Sequence, residues 1–242
     1  WVPLIRDALL NNKYTLLFQP VLEIKENRIA HYETLIRMIG NDGKLITPNN
    51  FIPVAEKMGL IHDIDLWVVN KAIDTLHNLP EKYNDISFNI NLSSHAFQDT
   101  ALLPLLKEKL YRTGIQANRI TFEITETAAI ANFSQTRDMI MNIRDLGCRF
   151  ALDDFGSGFS SFNYIKEFPV DYLKIDGTFI TNLLSDEVDQ TLIKSMIEIA
   201  KKLNKKTIAE FVESKLVLDL LIEYGADYAQ GYYIGKPSPE LL

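Results

Sequence analysis

The sequence predicts an α/β fold, a TIM-like (β/α)8 barrel with an irregular antiparallel strand near the N-terminus. Short apolar or alternating runs are separated by amphipathic helical patterns along the chain, which is typical of a mostly parallel sheet covered by helices. The length of 242 residues is close to the roughly 250 that such barrels need. No low-complexity linker divides the sequence, so we treat residues 1–242 as one domain.

Strand patterns recur at eight places, namely 14–20, 29–37, 86–92, 119–125, 149–154, 171–175, 206–211 and 228–233. Helical patterns fill most of the gaps, at 50–59, 62–78, 100–113, 132–146, 187–203 and 214–224. The first two strands flank the short polar segment KENR at 25–28, which indicates a hairpin. A hairpin makes those strands antiparallel, so the predicted barrel departs from strict (β/α)8 order.

Composition narrows the classes of function. The formal net charge is -7, and the longest basic run is KKLNKK at 201–206, which argues against non-specific nucleic-acid binding. No stretch is long and apolar enough to span a bilayer, and we expect no membrane contact by this domain. The single cysteine, Cys148, predicts a reducing compartment, the cytoplasm. The chain starts at Trp1, and we expect it to be one domain of a longer multidomain protein, which could itself be membrane-anchored.

The predicted strands carry polar residues where a barrel interior is normally apolar. Within 120–126, Thr121, Glu123 and Thr125 alternate with apolar residues, and 86–92 and 149–154 alternate in the same way. We expect the apolar set to pack under the helices and the polar set to point into the barrel. The polar residues late in the strands are Glu33, Asn91, Glu123, Asp153, Asp154, Lys174, Glu210 and Gln230.

These late-strand residues predict a metal site. Buried carboxylates cost several kcal/mol each unless they are paired or bound to metal. Oxygen ligands of this kind are those that Mg²⁺ and Mn²⁺ prefer, and the adjacent Asp153 and Asp154 suit a pair of ions with Asp153 as the bridge. Lys174 adds a cation that could orient water or stabilise developing charge. The segment GSGFSS at 156–161 is predicted to be a mobile loop whose backbone N–H groups could meet phosphate.

The same residues fall in words that resemble those of a known family, the EAL-domain phosphodiesterases of cyclic di-GMP. The resemblance covers essentially the whole chain. The words are FQP at 18–20, ETLIR at 33–37, NINLS at 89–93, EITE at 123–126, DDFGSGFSS at 153–161, DYLKIDG at 171–177, AEFVE at 209–213 and QGYYIGKP at 230–237. Any one of these words is weak evidence, but their occurrence in this order at strand ends is specific.

The resemblance implies roles for individual residues. The metal ligands, for two Mg²⁺ or Mn²⁺ ions, are implied to be Glu33, Asn91, Glu123, Asp153, Asp154 and Glu210. Lys174 is implied to be catalytic together with Glu33 and Asp153. Substrate contacts are implied at Gln19, Leu35, Arg37, Glu213 and Gln230, with Arg37 on a phosphate, and Glu126 is implied to steady the loop after the paired Asp residues. The implied reaction is attack of metal-activated water on one phosphodiester of cyclic di-GMP, giving linear pGpG.

Two residues depart from the family pattern. Thr34 stands where the family usually has Ala; strand alternation points it away from Glu33, so we expect little effect on the metal. Phe211 stands where AEGVE would have Gly, and a large residue there could narrow the site or shift Glu213. Because all the matching metal ligands are present, we interpret the domain as an active enzyme.

The sequence leaves alternative functions open for this domain. The chain could be a degenerate module that binds cyclic di-GMP, or only a protein partner, without cleavage. It could also be another acidic metal-dependent barrel enzyme, for example one that abstracts a proton beside a carboxylate. The resemblance further implies a homodimer and partners among the other domains of the parent protein. His31 shares the strand face of Glu33, and we interpret it as a satisfied core histidine rather than a ligand.

Overall fold

The structure, a computed structural model, describes residues 1–157 and 162–242. The described residues form nine strands: β1 (Tyr14–Glu23), β2 (Arg28–Ile39), β3 (Leu45–Ile46), β4 (Ser87–Asn91), β5 (Ile120–Thr125), β6 (Arg149–Phe155), β7 (Tyr172–Ile175), β8 (Lys206–Ala209) and β9 (Tyr228–Gln230). They also form the helices α1 (Val2–Leu10), α2 (Pro48–Lys57), α3 (Ile61–His77), α4 (Leu102–Thr113), α5 (Glu126–Ala131), α6 (Phe133–Arg144), α7 (Phe162–Glu167), α8 (Gly177–Thr181), α9 (Glu187–Lys202) and α10 (Lys215–Tyr224). Short 3₁₀ turns lie at Glu81–Tyr83, Ser94–Gln98 and Ala117–Arg119.

Eight of the strands close into a barrel, which confirms the predicted fold class. Around the barrel the order is β1, β9, β8, β7, β6, β5, β4 and β2, and β2 pairs back with β1. The pairs of β1 with β2 and with β9 are antiparallel, whereas the remaining neighbours in the ring are parallel. The short β3 lies outside the ring on the end of β2.

The predicted alternation separates two apolar regions. Phe88, Phe122 and Phe150 face outward and belong to the large core between the barrel and its helices. A second, smaller cluster fills the lower barrel interior: Val21, Ala30, Ala151, Tyr172, Ile208 and Tyr228. Above it the interior becomes polar, as predicted, because Asn89 and Thr121 face inward and are fully buried. The polar layer therefore lies toward the C-terminal ends of the parallel strands.

His31 lies in the lower interior against the rings of Tyr172 and Tyr228, at centroid distances of 5.4 and 5.1 Å. Burial, with Arg149 and Lys206 nearby, lowers the pKa of His31 to about 3, so the ring is neutral at physiological pH. The ring is a core residue as predicted. The Asn89 side chain opposes the fall of this pKa as a hydrogen-bond partner, while Nδ1 lacks a hydrogen bond of good geometry among the described residues.

The hairpin predicted at 25–28 is present, and its turn passes through Asn27, which has a φ of 48°. Both of its strands are longer than predicted, and no helix follows β1 to cover its outer face. The C-terminal tail pairs with β1 along its backbone: Ser238 exchanges backbone hydrogen bonds of 2.7 and 3.1 Å with Phe18. The tail thus adds a second antiparallel contact to β1 beside its pairing with β9.

Several short elements were not predicted, namely α1, α5, α7, α8 and β3. Elements of two to six residues are too short to repeat a helical or strand period, which explains the omission of all except α1. The strands predicted at 206–211 and 228–233 end earlier, at Ala209 and Gln230, where the chain turns into the rim of the barrel. No helix in the described part of the chain is long and apolar enough to cross a membrane.

Candidate active site

Lys174 lies at the centre of the polar layer. It is carried by β7 and is only 1% exposed. Its Nζ lies 2.8 Å from Glu123 Oε2, 3.0 Å from Glu210 Oε1, 3.1 Å from Asp153 Oδ1 and 3.6 Å from Glu33 Oε2. The structure therefore brings four carboxylates, from β2, β5, β6 and the end of β8, around one ammonium group.

The charges of this cluster are unbalanced, since four carboxylates against one ammonium leave an excess of negative charge. Burial alone would lower the pKa of Lys174, but the surrounding carboxylates outweigh it and raise this pKa well above its ordinary value. Burial raises the pKa of Glu123 well above its usual range, and raises that of Glu210 to about 7, with Lys174 opposing both shifts. A cluster that holds protons this tightly is under-neutralised and can accept further cations.

Glu33 is oriented by amide side chains. Its Oε1 accepts a hydrogen bond of 2.8 Å from Asn91 Nδ2, and its Oε2 accepts one of 2.6 Å from Gln230 Nε2. Gln230 Nε2 also donates to Gln19 Oε1 at 3.3 Å, and Gln19 Nε2 donates to the carbonyl of Gly235 at the same distance. Burial would raise the pKa of Glu33, but Lys174 and the two amides leave it below the ordinary value, so Glu33 is ionised.

Glu123 is fixed from below by Asn89, whose Nδ2 donates to Glu123 Oε1 at 2.7 Å. Residues 89 and 123 belong to neighbouring strands, β4 and β5, whose register pairs Asn91 with Glu123. The parallel register therefore puts the buried amide of Asn89 one layer below the carboxylate of Glu123 that it supports. Such supporting hydrogen bonds restrict the rotamers of a potential metal ligand.

Asp153 and Asp154 are consecutive, yet both carboxylates reach the same rim. The pairing of β6 with β7 is irregular between Leu152 and Phe155, and Asp154 adopts a φ of 56° in the left-handed region. This bulge turns the second carboxylate toward the first. Oxygen atoms of Asp153, Asp154 and Glu210 lie within 4.8 Å of one another. An all-oxygen set of this kind fits a hard divalent cation.

Glu126 lies under the loop that follows Asp154. It is buried, and its Oε2 accepts a hydrogen bond of 3.2 Å from the backbone N–H of Gly156. Burial raises the pKa of Glu126, and Asp154 adds to the shift. Of the loop predicted at 156–161, Gly156 and Ser157 are described; the remainder lies outside the described residues.

Comparison with known proteins decides the family. A family model described as "EAL domain" matches residues 4–237, which is nearly the whole chain. This chain belongs to the EAL domain family. The resemblance read from the sequence is thereby confirmed.

Two relatives of this EAL domain are the signaling protein YkoW of Bacillus subtilis and the cyclic di-GMP phosphodiesterase PdeB of Shewanella oneidensis. YkoW is 34% identical over 235 residues, 97% of this chain and 29% of that protein. PdeB is 36% identical over 240 residues, 99% of this chain and 28% of that protein. The chain thus spans less than a third of the length of these relatives.

Solved EAL structures share the fold over the whole domain. A structure of the phosphodiesterase PaMucR in complex with c-di-GMP has a TM-score of 0.92 at 30% identity, covering 98% of this chain and 97% of that one. The FimX EAL domain from Pseudomonas aeruginosa bound to c-di-GMP has a TM-score of 0.93 at 32% identity, covering 99% and 96%. These matches confirm the TIM-like barrel.

The remaining predicted site residues surround the mouth of the EAL barrel. Arg37 is on the face of β2 that carries Glu33, and its guanidinium is partly buried. Thr34 points away from Glu33, as alternation predicts, and donates its hydroxyl to the carbonyl of Asn89 at 2.8 Å. Glu213 lies exposed on the loop after β8, outside the hydrogen-bonded cluster. Its role in substrate binding stays a prediction.

Sequence reasoning missed Asp65, which lines a cavity beside the acidic rim. The cavity has a volume of about 630 Å³ and lies between β2, β4, α2, α3 and α5. Its walls are largely apolar and include Leu35, while Asn91 reaches it from the acidic cluster. Asp65 is 6% exposed and accepts hydrogen bonds from the Ser93 hydroxyl at 2.5 Å and the Ser93 backbone N–H at 3.4 Å. The sequence did carry one signal for Asp65: it is an acidic residue on the buried face of α3, among apolar residues such as Ile64 and Val68.

We expect the free energy of unfolding to depend on pH through the titration of Asp65. Burial raises its pKa to about 7 from an ordinary 3.8, with Ser93 opposing the shift. The native state therefore holds this proton more tightly than the unfolded state, and stability falls as pH rises from about 4 to about 7. Asp65→Asn cannot lose a proton, so its free energy of unfolding relative to wild type should rise by about 3 kcal/mol between pH 5 and pH 8.

Urea unfolding at several pH values measures this difference directly. Asp63→Asn, an exposed position on the same helix, controls for the loss of a helix charge. A difference between Asp65→Asn and wild type that stays constant across this pH range would contradict the buried, protonated Asp65.

Proposed function

We propose that this domain hydrolyses one phosphodiester bond of cyclic di-GMP to linear pGpG, using Mg²⁺ or Mn²⁺. The observation that carries the proposal is the convergence of Glu33, Glu123, Asp153 and Glu210 around Lys174, with Asp154 beside them. An arrangement built for stability alone would not bury this many carboxylates with a single counterion. The names of related proteins, among them a cyclic di-GMP phosphodiesterase, support the same substrate and reaction.

We assign the metal-holding role to Glu33, Asn91, Glu123, Asp153, Asp154 and Glu210. Two divalent ions bound there would polarise a phosphoryl oxygen and acidify a water molecule. The supporting amides Asn89, Gln19 and Gln230 keep Glu33 and Glu123 in place before metal arrives. This preorganisation reduces the reorganisation needed when the cations bind.

Lys174 supplies the one positive charge of the protein at the centre of the cluster. In the metal-free cluster the surrounding carboxylates raise its pKa well above the ordinary value, and its Nζ donates a hydrogen bond to Glu123 Oε2 at 2.8 Å. We propose that it orients the attacking water and stabilises the negative charge that develops on the phosphoryl group. We assign Asp153 and Glu33 as the other two catalytic residues, because as metal ligands they would hold the ions and the attacking water at the rim of the barrel.

We assign substrate recognition to residues at the mouth of the barrel. Arg37 would bind a phosphate oxygen, since its guanidinium lies on the same face of β2 as Glu33. The cavity lined by Leu35 and Asp65 would take one guanine: apolar walls suit its faces, and a carboxyl oxygen can accept from its N–H donors. Gln19, Gln230 and Glu213 are assigned the remaining polar contacts.

The setting of the domain is also a proposal. We place it in the cytoplasm, as one part of a longer signalling protein whose other domains control it, and we expect it to pair with a second copy of itself. The sizes of its relatives, of which it spans less than a third, support the multidomain setting.

Product identification tests the proposed reaction. The chain is incubated with cyclic di-GMP and Mg²⁺ or Mn²⁺, and the nucleotides are separated by chromatography beside a pGpG standard. We expect pGpG to accumulate and EDTA to prevent it. Binding of cyclic di-GMP without any product would instead assign a receptor role, and the absence of both product and binding would overturn the proposal.

A further inference from the structure

Three aromatic rings contact one another in the lower interior of the barrel. The ring centroids of Tyr172 and Tyr228 lie 5.8 Å apart, and His31 meets both rings edge on, at interplanar angles of 80° and 79°. Each tyrosine hydroxyl is bound by a cation at the N-terminal end of a strand: Arg149 Nη1 donates to Tyr172 at 2.9 Å, and Lys206 Nζ donates to Tyr228 at 3.2 Å. All three rings are buried. The imidazole of His31 is therefore held by fixed neighbours.

Asn89 connects this layer of rings to the acidic cluster. The register of β2 and β4 pairs Asn89 with Glu33, so Asn89 lies two residues above His31 on the same inward face. Its Nδ2 donates to Glu123 Oε1 at 2.7 Å, while Glu123 Oε2 accepts from Lys174 Nζ at 2.8 Å. Because Nδ2 is turned toward Glu123, the other end of the amide, Oδ1, is left for the lower layer.

The two sides of this contact lack well-oriented hydrogen bonds. Both Asn89 Oδ1 and His31 Nδ1 are buried, and neither has a partner of good geometry among the described residues. The Asn89 side chain opposes the fall of the His31 pKa as a hydrogen-bond partner, which an oxygen that accepts from the ring does and an N–H group does not. A single hydrogen bond from His31 Nδ1–H to Asn89 Oδ1 would satisfy both atoms.

We propose that His31 is a positioning residue of the metal site, whose Nδ1–H donates to Asn89 Oδ1 and so fixes the amide that supports Glu123. The proposal rests on the proposed function, in which Glu123 is a metal ligand. An amide bound at one end keeps freedom to rotate about its side-chain bonds, whereas an amide bound at both ends is held in one orientation. The donor on Oδ1 also polarises the amide, which strengthens the hydrogen bond that Nδ2 makes to the carboxylate. His31 thus acts on a metal ligand through Asn89, without touching the ion.

The hydroxyl of Thr121 is a second buried donor at this level of the barrel. Thr121 pairs with Asn89 in the register of β4 and β5, is fully buried, and its Oγ1 has no hydrogen-bond partner among the described residues. Asn89 acts on the His31 ring as a hydrogen-bond partner, and no such bond joins Asn89 to Thr121. His31 is therefore the better-placed donor. Thr121→Val, which replaces the hydroxyl by a methyl group in the same layer, is the matched control.

The tautomer of His31 is the first readout, and it needs neither metal nor substrate. The neutral ring carries one N–H, and the hydrogen bond that the ring makes decides which nitrogen holds this proton. In ¹⁵N NMR spectra of the metal-free chain labelled at histidine, we expect the His31 proton on Nδ1. The His31 signal is identified by its absence from His31→Phe. A proton on Nε2 in the wild-type chain would overturn the proposal.

Mn²⁺ affinity, measured by titration of the metal-free chain, is the second readout. His31→Phe keeps an aromatic ring against both tyrosines but has no N–H, so its Tm should stay near that of wild type while its Mn²⁺ affinity falls about tenfold. His31→Gln keeps an N–H donor but loses the ring contacts, so its Tm should fall while its Mn²⁺ affinity stays near the wild-type value. Thr121→Val should bind Mn²⁺ as wild type does.

Mn²⁺ affinity that follows Tm through these variants would contradict the proposal, because His31 would then be a packing residue only. So would a loss of Mn²⁺ affinity in Thr121→Val that His31→Phe does not share, since the hydroxyl would then be the donor. In the Asn89→Leu background, His31→Phe should cause no further loss of Mn²⁺ affinity, and an undiminished loss there would exclude the route through Asn89. Failure of the wild-type chain to bind Mn²⁺ or to form pGpG would overturn the proposed function itself, whereas the His31 tautomer is measured without either.

Discussion

Asp153→Asn is expected to lower cyclic di-GMP turnover by on the order of a thousandfold, because a metal that stabilises phosphoryl charge contributes several kcal/mol and each 1.4 kcal/mol is a factor of ten. Asp153, like Glu210, contacts Lys174 and also belongs to the group of neighbouring carboxylates that includes Asp154. Its amide analogue keeps the size of the side chain but removes a charged oxygen from the centre of the site. Glu33→Gln should have an effect of the same kind.

Stability measurements distinguish the loss of turnover in Asp153→Asn from unfolding of the variant. Asp153→Asn removes one charge from a cluster with excess negative charge, so its metal-free Tm should equal or exceed that of wild type. Mg²⁺ should raise the Tm of wild type, since a ligand that binds the native state stabilises it, and should raise that of the variant much less. Asp138→Asn, at an exposed position on α6, controls for loss of a carboxylate elsewhere. Wild-type turnover in Asp153→Asn would contradict the assignment of this residue.

Lys174→Met is expected to lower turnover by about 10² to 10⁴-fold while metal binding is retained. Removing the ammonium leaves Glu33, Glu123, Asp153 and Glu210 without their shared counterion, so the metal-free protein should lose stability. Divalent cations can replace that charge. The increase in Tm on adding Mg²⁺ should therefore be larger in Lys174→Met than in wild type.

Lys205 offers a matched control, because it is the other buried lysine of the described residues. Its Nζ donates to the carbonyls of Phe168 and Val170 at 2.8 and 2.9 Å, in the loop before β7. Lys205→Met should also lose stability, by about 1–3 kcal/mol for the hydrogen bonds that the two carbonyls lose, but Mg²⁺ should not restore it preferentially. If Mg²⁺ stabilised both lysine variants equally, the link between Lys174 and the cation site would be wrong.

The barrel and its acidic rim were predictable because both follow from local patterns. The strand period of two separates Glu123 from Phe122, and parallel strands bring their ends to a common rim. The predicted metal ligands are consequently neighbours in the structure. The hairpin at β1 and β2 was readable for the same reason, from a short polar segment between two strands.

Other features depend on contacts between distant parts of the chain. Gln230 reaches Glu33 across 197 residues, and Gln19 meets Gln230 across 211, so neither contact leaves a local pattern. The bulge that turns Asp154 toward Asp153 is likewise a property of the pairing between β6 and β7. Asp65 did leave a local signal, as an acid on an apolar helix face, but its meaning needs the cavity that five separate elements enclose.

The most direct test of the metal-dependent hydrolase is to titrate Mn²⁺ into the metal-free chain while following both bound ion and the rate of pGpG formation. We expect the rate to rise from zero as two ions bind per chain, EDTA to abolish it, and Asp153→Asn to shift both curves together to higher Mn²⁺ concentration. Turnover that persists in EDTA, or that reaches its maximum without Mn²⁺ bound to the wild-type chain, would contradict metal-dependent hydrolysis.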